Sequence, residues 1–110
     1  MNHILWECEM PLLTARKEVY AWIKEGKKTI DVRKGRGRSG DVAVFQCGTS
    51  HLRLPIIKRE TGMLTEVIRV DNFREVIPTA ECLEDALRYI ELIYGSCEGV
   101  FTAYYLRPIE

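Results

Sequence analysis

Hydrophobic and polar positions change period several times along this chain, and each change marks an element. Ile4, Trp6, Cys8 and Met10 alternate with Leu5, Glu7 and Glu9, which predicts a half-buried strand ended by Pro11. Val19, Trp22 and Ile23 then recur at helical spacing, with Thr14 as an N-cap and Gly26 as the left-handed residue that closes the helix. From Lys28 the period falls to two. Ile30 and Val32 share an apolar face, and Thr29, Asp31 and Arg33 share the polar one. Lys34 to Gly40 is a loop, and the apolar run Val42 to Phe45 predicts a central strand. Leu52, Leu54 and Ile56 alternate with Arg53 and Pro55, and the proline favours an edge strand. Met63 to Val70 alternates again beyond Gly62 and predicts the second arm of a hairpin. After Pro78-Thr79, the residues Leu83, Ala86, Leu87, Ile90, Ile93 and Tyr94 trace one face of an amphipathic helix. Glu84 and Arg88 form an outward i,i+4 pair, and Gly95 is its C-cap. Val100 to Leu106 predicts a closing aromatic strand.

The predicted order is β-α-β-β-β-β-α-β. Many short strands and two helices favour an α+β fold: a small β-barrel or strongly curved sheet of about six strands, with the helices packed at its ends. A length of 110 residues fits one domain, 1–110, able to bury its own core. Apolar residues make up 46% of the chain, which argues against disorder. No apolar run is long enough to span a bilayer, so no membrane partner is expected. The first residues lack a basic n-region and a long apolar stretch, so no signal peptide is expected either. Cys8, Cys47, Cys82 and Cys97 are scattered without a C-x-x-C pair, and His3 and His51 have no ligand spacing. Reduced thiols, a cytoplasmic location and no metal or other cofactor follow as expectations.

Net charge is zero, yet residues 16–38 hold nine Lys/Arg against three Asp/Glu, and residues 66–98 hold three Arg against eight acids. A basic half of this kind points to an anionic partner, or else to a solvated face. Within it, Gly35-Arg36-Gly37-Arg38-Ser39-Gly40 matches G-x-G-x-x-G. The dinucleotide reading fails because a strand, and not a helix, follows the glycines. As a loop, the segment offers forked guanidinium donors suited to phosphate, with Lys27 and Lys28 preceding the same strand. A solvated turn is the plainer alternative.

Lys28, Asp31 and Arg33 are a second group. Asp31 and Arg33 share a strand face and either pair or flank a ligand. Lys28 has the opposite parity and joins them only through twist or a bulge. Otherwise they are a surface ion pair worth about 0–1 kcal/mol. The aromatics Trp6, Trp22, Phe45, Tyr94, Phe101, Tyr104 and Tyr105 are core residues or, beside cations, platforms for unpaired bases. Glu75 and Glu81 are candidate acid–base groups, although a carboxylate in the first turn of a helix is also favoured by the helix dipole.

Taken together, the Gly26-Lys-Lys28-Thr-Ile-Asp31-Val-Arg33 strand, the Gly40-Asp41-Val-Ala-Val-Phe45 strand, the amphipathic second helix and the closing aromatic strand resemble an ASCH domain, of the PUA-like superfamily. The resemblance covers nearly the whole chain. It implies a PUA-like β-barrel with a cleft beside the first helix, binding single-stranded RNA or a modified nucleotide. Lys27, Lys28, Asp31, Arg33, Arg36 and Arg38 are then the expected binding residues. A bacterial branch is similar to amidohydrolases that release acetate from N4-acetylcytidine with a lysine, a threonine three positions on, and a glutamate. Lys28 matches that lysine, but Asp31 occupies the threonine position. The alternative is therefore a small amidohydrolase acting on an acylated nucleoside, with Lys28, Asp31 and Glu81 as catalytic residues.

Overall fold

The structure is a computed structural model that describes residues 12–108. The predicted strand around Ile4 to Met10, with Trp6 and Cys8, lies outside these residues. Five strands are present among the described residues: β1 (Leu12–Thr14), β2 (Ile30–Lys34), β3 (Val42–Cys47), β4 (Ser50–Met63) and β5 (Val100–Leu106). Their order in the sheet is β1-β3-β4-β5-β2. Only β1 and β3 run parallel; the other neighbours are antiparallel. Four helices join them: α1 (Lys17–Lys24), α2 (Leu64–Val67), α3 (Phe73–Val76) and α4 (Leu83–Tyr94).

The sheet curls as a half-barrel around two apolar clusters. One, under α1, gathers Val19, Ile23, Ala43, Phe45, Leu54, Tyr104 and Leu106. The other, under α2, α3 and α4, gathers Ile30, Val32, Leu64, Val67, Ile68, Val76, Ile90 and Phe101. Trp22 packs against both. Each fully buried aliphatic or aromatic side chain contributes about 1.5–3 kcal/mol relative to exposure. The predicted face of β2 is observed, with Ile30 and Val32 both buried. Phe45, Phe101 and Tyr104 are core residues, while Tyr105 on the opposite face of β5 is half-buried.

Three local expectations are corrected. Thr14 is not the cap of α1; it ends β1, and Arg16 holds the N-cap position. The predicted hairpin of Leu52–Ile56 and Met63–Val70 is instead one fourteen-residue strand, β4, followed by the turn of helix α2. Leu64, Val67 and Ile68 are the buried positions there, which is helical spacing and not alternation. Pro55 does not mark an edge, because β4 pairs with β3 on one side and β5 on the other. The strand accommodates this with an irregularity between Ile56 and Lys58, which leaves Ile57 unpaired. Gly26 and Gly95 do take the expected left-handed conformations behind their helices, at φ 79° and 80°. Cys47, Cys82 and Cys97 are free thiols.

Candidate functional site

Four elements, β1, α1, β2 and α4, converge beside the N-terminal end of α1 to make a cleft with a cavity volume of about 90 Å³. One wall comes from Thr14, Ala15, Arg16 and Val19, at the junction of β1 and α1. The floor is Lys28, Asp31, Val32 and Arg33, and the far wall is Ile77 with Tyr89, Ile90, Ile93 and Tyr94 of α4. Three of the four charged residues lining it are cations. Although α4 lies in the acidic half of the sequence, the four side chains it sends to this wall carry no charge at neutral pH.

Lys28 reaches the site by leaving the strand period. It precedes β2, in the turn where its own amide and that of Lys27 both donate to the Trp22 carbonyl. Its side chain turns inward and is almost wholly buried. Nζ donates to the carbonyl oxygens of Ile30 (2.7 Å) and Val76 (2.5 Å) and lies 3.8 Å from Asp31 Oδ1. Asp31 is equally buried, and its Oδ2 accepts from Arg33 Nε at 2.6 Å. Arg33 Nη1 donates to the Thr14 carbonyl at 2.8 Å, which ties the end of β1 to β2. The group is therefore not a surface ion pair, and both faces of β2 are covered at Asp31.

This burial sets the electrostatics. Removal from water pushes the Lys28 ammonium down to about 8; the Asp31 carboxylate opposes the shift and the Arg33 charge adds to it. Burial alone would lower Arg33, but the charge and hydrogen bond of Asp31 outweigh it and hold the guanidinium above its ordinary value. Protonated Lys28 donates to two carbonyls and lies within ion-pair distance of a carboxylate. The neutral amine keeps two donors and gains a lone pair. One arrangement can thus hold a fixed cation or, a little above neutrality, a neutral amine.

The other expected site residues lie elsewhere. Lys27 is exposed and pairs with Glu25 at 3.4 Å. Arg36 is exposed and makes no hydrogen bond or ion pair with the described residues. Arg38 is exposed just outside the cleft, where Nη1 donates to the Leu12 carbonyl at 3.2 Å. The loop glycines serve the fold: a Cβ on Gly37 would sit 3.1 Å from Thr102 Cγ2 and 3.4 Å from Arg59 Cδ. Glu81 is exposed, absent from the cleft lining, and its amide donates to Asp85 Oδ2. Glu75 is also exposed; only its carbonyl approaches, accepting from Thr29 N at 3.1 Å. Asp31 is the one carboxylate lining the cleft among the described residues. Sequence reasoning missed Arg16 and Tyr89, and took Tyr94 for a core or stacking aromatic. The signal for both tyrosines was their place beside Ile90 and Ile93 on the inner stripe of α4. The described residues hold no cluster of metal-ligating side chains and no helix long and apolar enough to cross a membrane.

No protein-family model and no curated protein sequence matches the chain. Its fold does match solved structures. The hypothetical protein PH0355 is similar over 91% of this chain and 99% of its own, with TM-score 0.73 and 18% identity. Protein PF0455 from Pyrococcus furiosus is similar over 92% and 98%, with TM-score 0.65 and 22% identity. An ASCH protein from Zymomonas mobilis is similar over 90% of this chain and 67% of its own, with TM-score 0.66 and 18% identity. The half-barrel is a small α+β fold. It shares its fold with that ASCH protein.

Proposed function

We propose that this chain is an RNA- or nucleotide-binding module of the ASCH family, whose ligand enters the cleft beside α1. The observation that carries the reading is the convergence of Lys28, Asp31 and Arg33 on one concave site. Arg16 stands at the same cleft, with Tyr89 and Tyr94 on its far wall. Cations supply attraction for phosphate, the tyrosine faces supply stacking for an unpaired base, and Asp31 fixes the cations in place. The ASCH fold supports the same reading, since proteins of this type are expected to bind RNA. A cytoplasmic location belongs to this proposal.

A second reading, a small hydrolase of acylated nucleosides, is favoured by one observation. Lys28 titrates near 8 beside a carboxylate, within reach of a general-base role. Against it, neither Glu81 nor any other glutamate lines the cleft among the described residues. The two readings separate in one experiment. Short single-stranded RNAs titrated at two salt concentrations bind with a log–log slope of about −0.7 per phosphate contact if the chain is a binding module. Absence of binding at low salt refutes that reading. Acetate release from N4-acetylcytidine, lost in Lys28→Ala, establishes the hydrolase instead.

A further inference from the structure

The outer edge of β1 carries two arginines set out in a row. Arg33 Nη1 holds the Thr14 carbonyl at 2.8 Å, and Arg38 Nη1 holds the Leu12 carbonyl at 3.2 Å. Those carbonyls belong to residues two apart on one strand, a separation of about 7 Å. That distance is comparable with the step between neighbouring phosphates of an extended single strand. Among the described residues, each guanidinium spends only part of its five donors. Arg33 uses Nε on Asp31 and Nη1 on Thr14, and Arg38 uses Nη1 alone.

Arg38 is also fixed from below. Its main-chain amide and the Tyr104 hydroxyl form a 2.8 Å hydrogen bond, and its carbonyl accepts from Arg59 Nε at 2.9 Å. Arg59 also donates to the Gly40 carbonyl, and its guanidinium lies 5.5 Å from the centre of the Tyr104 ring. The main chain of Arg38 is therefore already fixed, and binding a ligand has only its side chain left to order. Arg36, two residues earlier in the same loop, has no such anchorage among the described residues.

We infer that Arg33 and Arg38 form a two-phosphate ladder along β1, so that the partner is a single strand of at least two nucleotides and not a mononucleotide. This rests on the nucleotide-binding reading and specifies it. The strand enters the cleft at Arg33 and leaves along the β1 edge past Arg38. Arg36 contributes only general attraction.

The test uses cytidine monophosphate, the 5′-phosphorylated dinucleotide pCpC and a cytidine hexanucleotide. Affinity is measured by calorimetry, and contact with the protein by amide chemical shifts. The wild type should bind pCpC about tenfold more tightly than the monophosphate, because a second charge-assisted contact forms. Arg38→Ala should bring that ratio near one and reduce the hexanucleotide salt slope by about 0.7. Arg38→Lys should keep the slope while losing part of the ratio, and Arg36→Ala should retain most of the ratio. Equal affinity for monophosphate and dinucleotide in the wild type overturns the ladder and leaves the nucleotide site standing. An equal collapse in Arg36→Ala and Arg38→Ala overturns it in favour of diffuse attraction. No binding of any probe, with cleft amides unmoved, overturns both readings.

Discussion

Lys28 and Asp31 show what burial does to charge. The folded protein holds the Lys28 proton less tightly than an unfolded chain would, with a folded value of about 8 against an ordinary 10.5. Below pH 8 both states carry the proton, and the penalty of the buried cation is fully present. As pH rises from about 8 to about 10.5, the folded state is the first to release it, so stability rises by up to about 3 kcal/mol. Urea unfolding at pH 7 and pH 10, compared with Lys28→Met, isolates the effect, because other titrating groups are common to both proteins. The wild type should gain on the variant as pH rises. Asp31 carries a related prediction. Its removal leaves Lys28 and Arg33 without their shared carboxylate, and breaking such a buried pair costs about 3–5 kcal/mol. Ile30→Ala, in the core, costs about 2–5 kcal/mol. The two variants should lose comparable stability in denaturant melts, although alternation alone would make Asp31→Ala mild. Period two correctly assigns faces, but it says nothing of what covers the polar face. Here Lys28 turns in from the preceding turn beside Asp31, and the Val76 carbonyl that holds its ammonium comes from an element distant in sequence.

Among the elements, those with strong periods and clear ends were readable. The α4 stripe, its Gly95 terminus, β5 and the apolar β3 all fall where the pattern puts them. Gly95 takes φ 80° with its amide donating to the Glu91 carbonyl at 2.7 Å. An L-residue pays about 1–2 kcal/mol in that conformation, so Gly95→Ala should lower the urea midpoint accordingly with an unchanged slope. The illegible elements are those decided by long-range contact. Nothing within Leu64–Val67 marks one helical turn so well as the place where its buried residues land, against β5 and the second cluster. The cleft was half visible for the same reason. Lys28, Asp31 and Arg33 lie within a few residues of one another, whereas Arg16, Tyr89 and Tyr94 join them only through the docking of α1 and α4 on the sheet.

Across the whole molecule, the uneven charge along the chain is divided between different elements. The basic segment supplies α1, β2 and the loop that Arg59 pins down. The acidic segment supplies α4, which keeps Glu84 and Glu91 exposed and turns Tyr89 and Tyr94 to the cleft. The two halves are joined through β4, whose first part pairs with β3 over one apolar cluster and whose second part pairs with β5 beside the other. The unpaired Ile57 makes this possible, and it inverts odd and even along the strand. Before it, Leu54 and Ile56 belong to the α1 cluster; after it, Arg59 stacks over Tyr104 of that same cluster. Ile57 is therefore the one residue of β4 whose loss would leave every other side chain on its own side, at the cost of the bend. Deleting Thr61 would instead turn the end of the strand inside out. Thermal melts should find the Ile57 deletion folded but weakened and the Thr61 deletion far less stable. For a lineage that drifts in length, this strand has a single point where a codon can be lost without inverting the sheet.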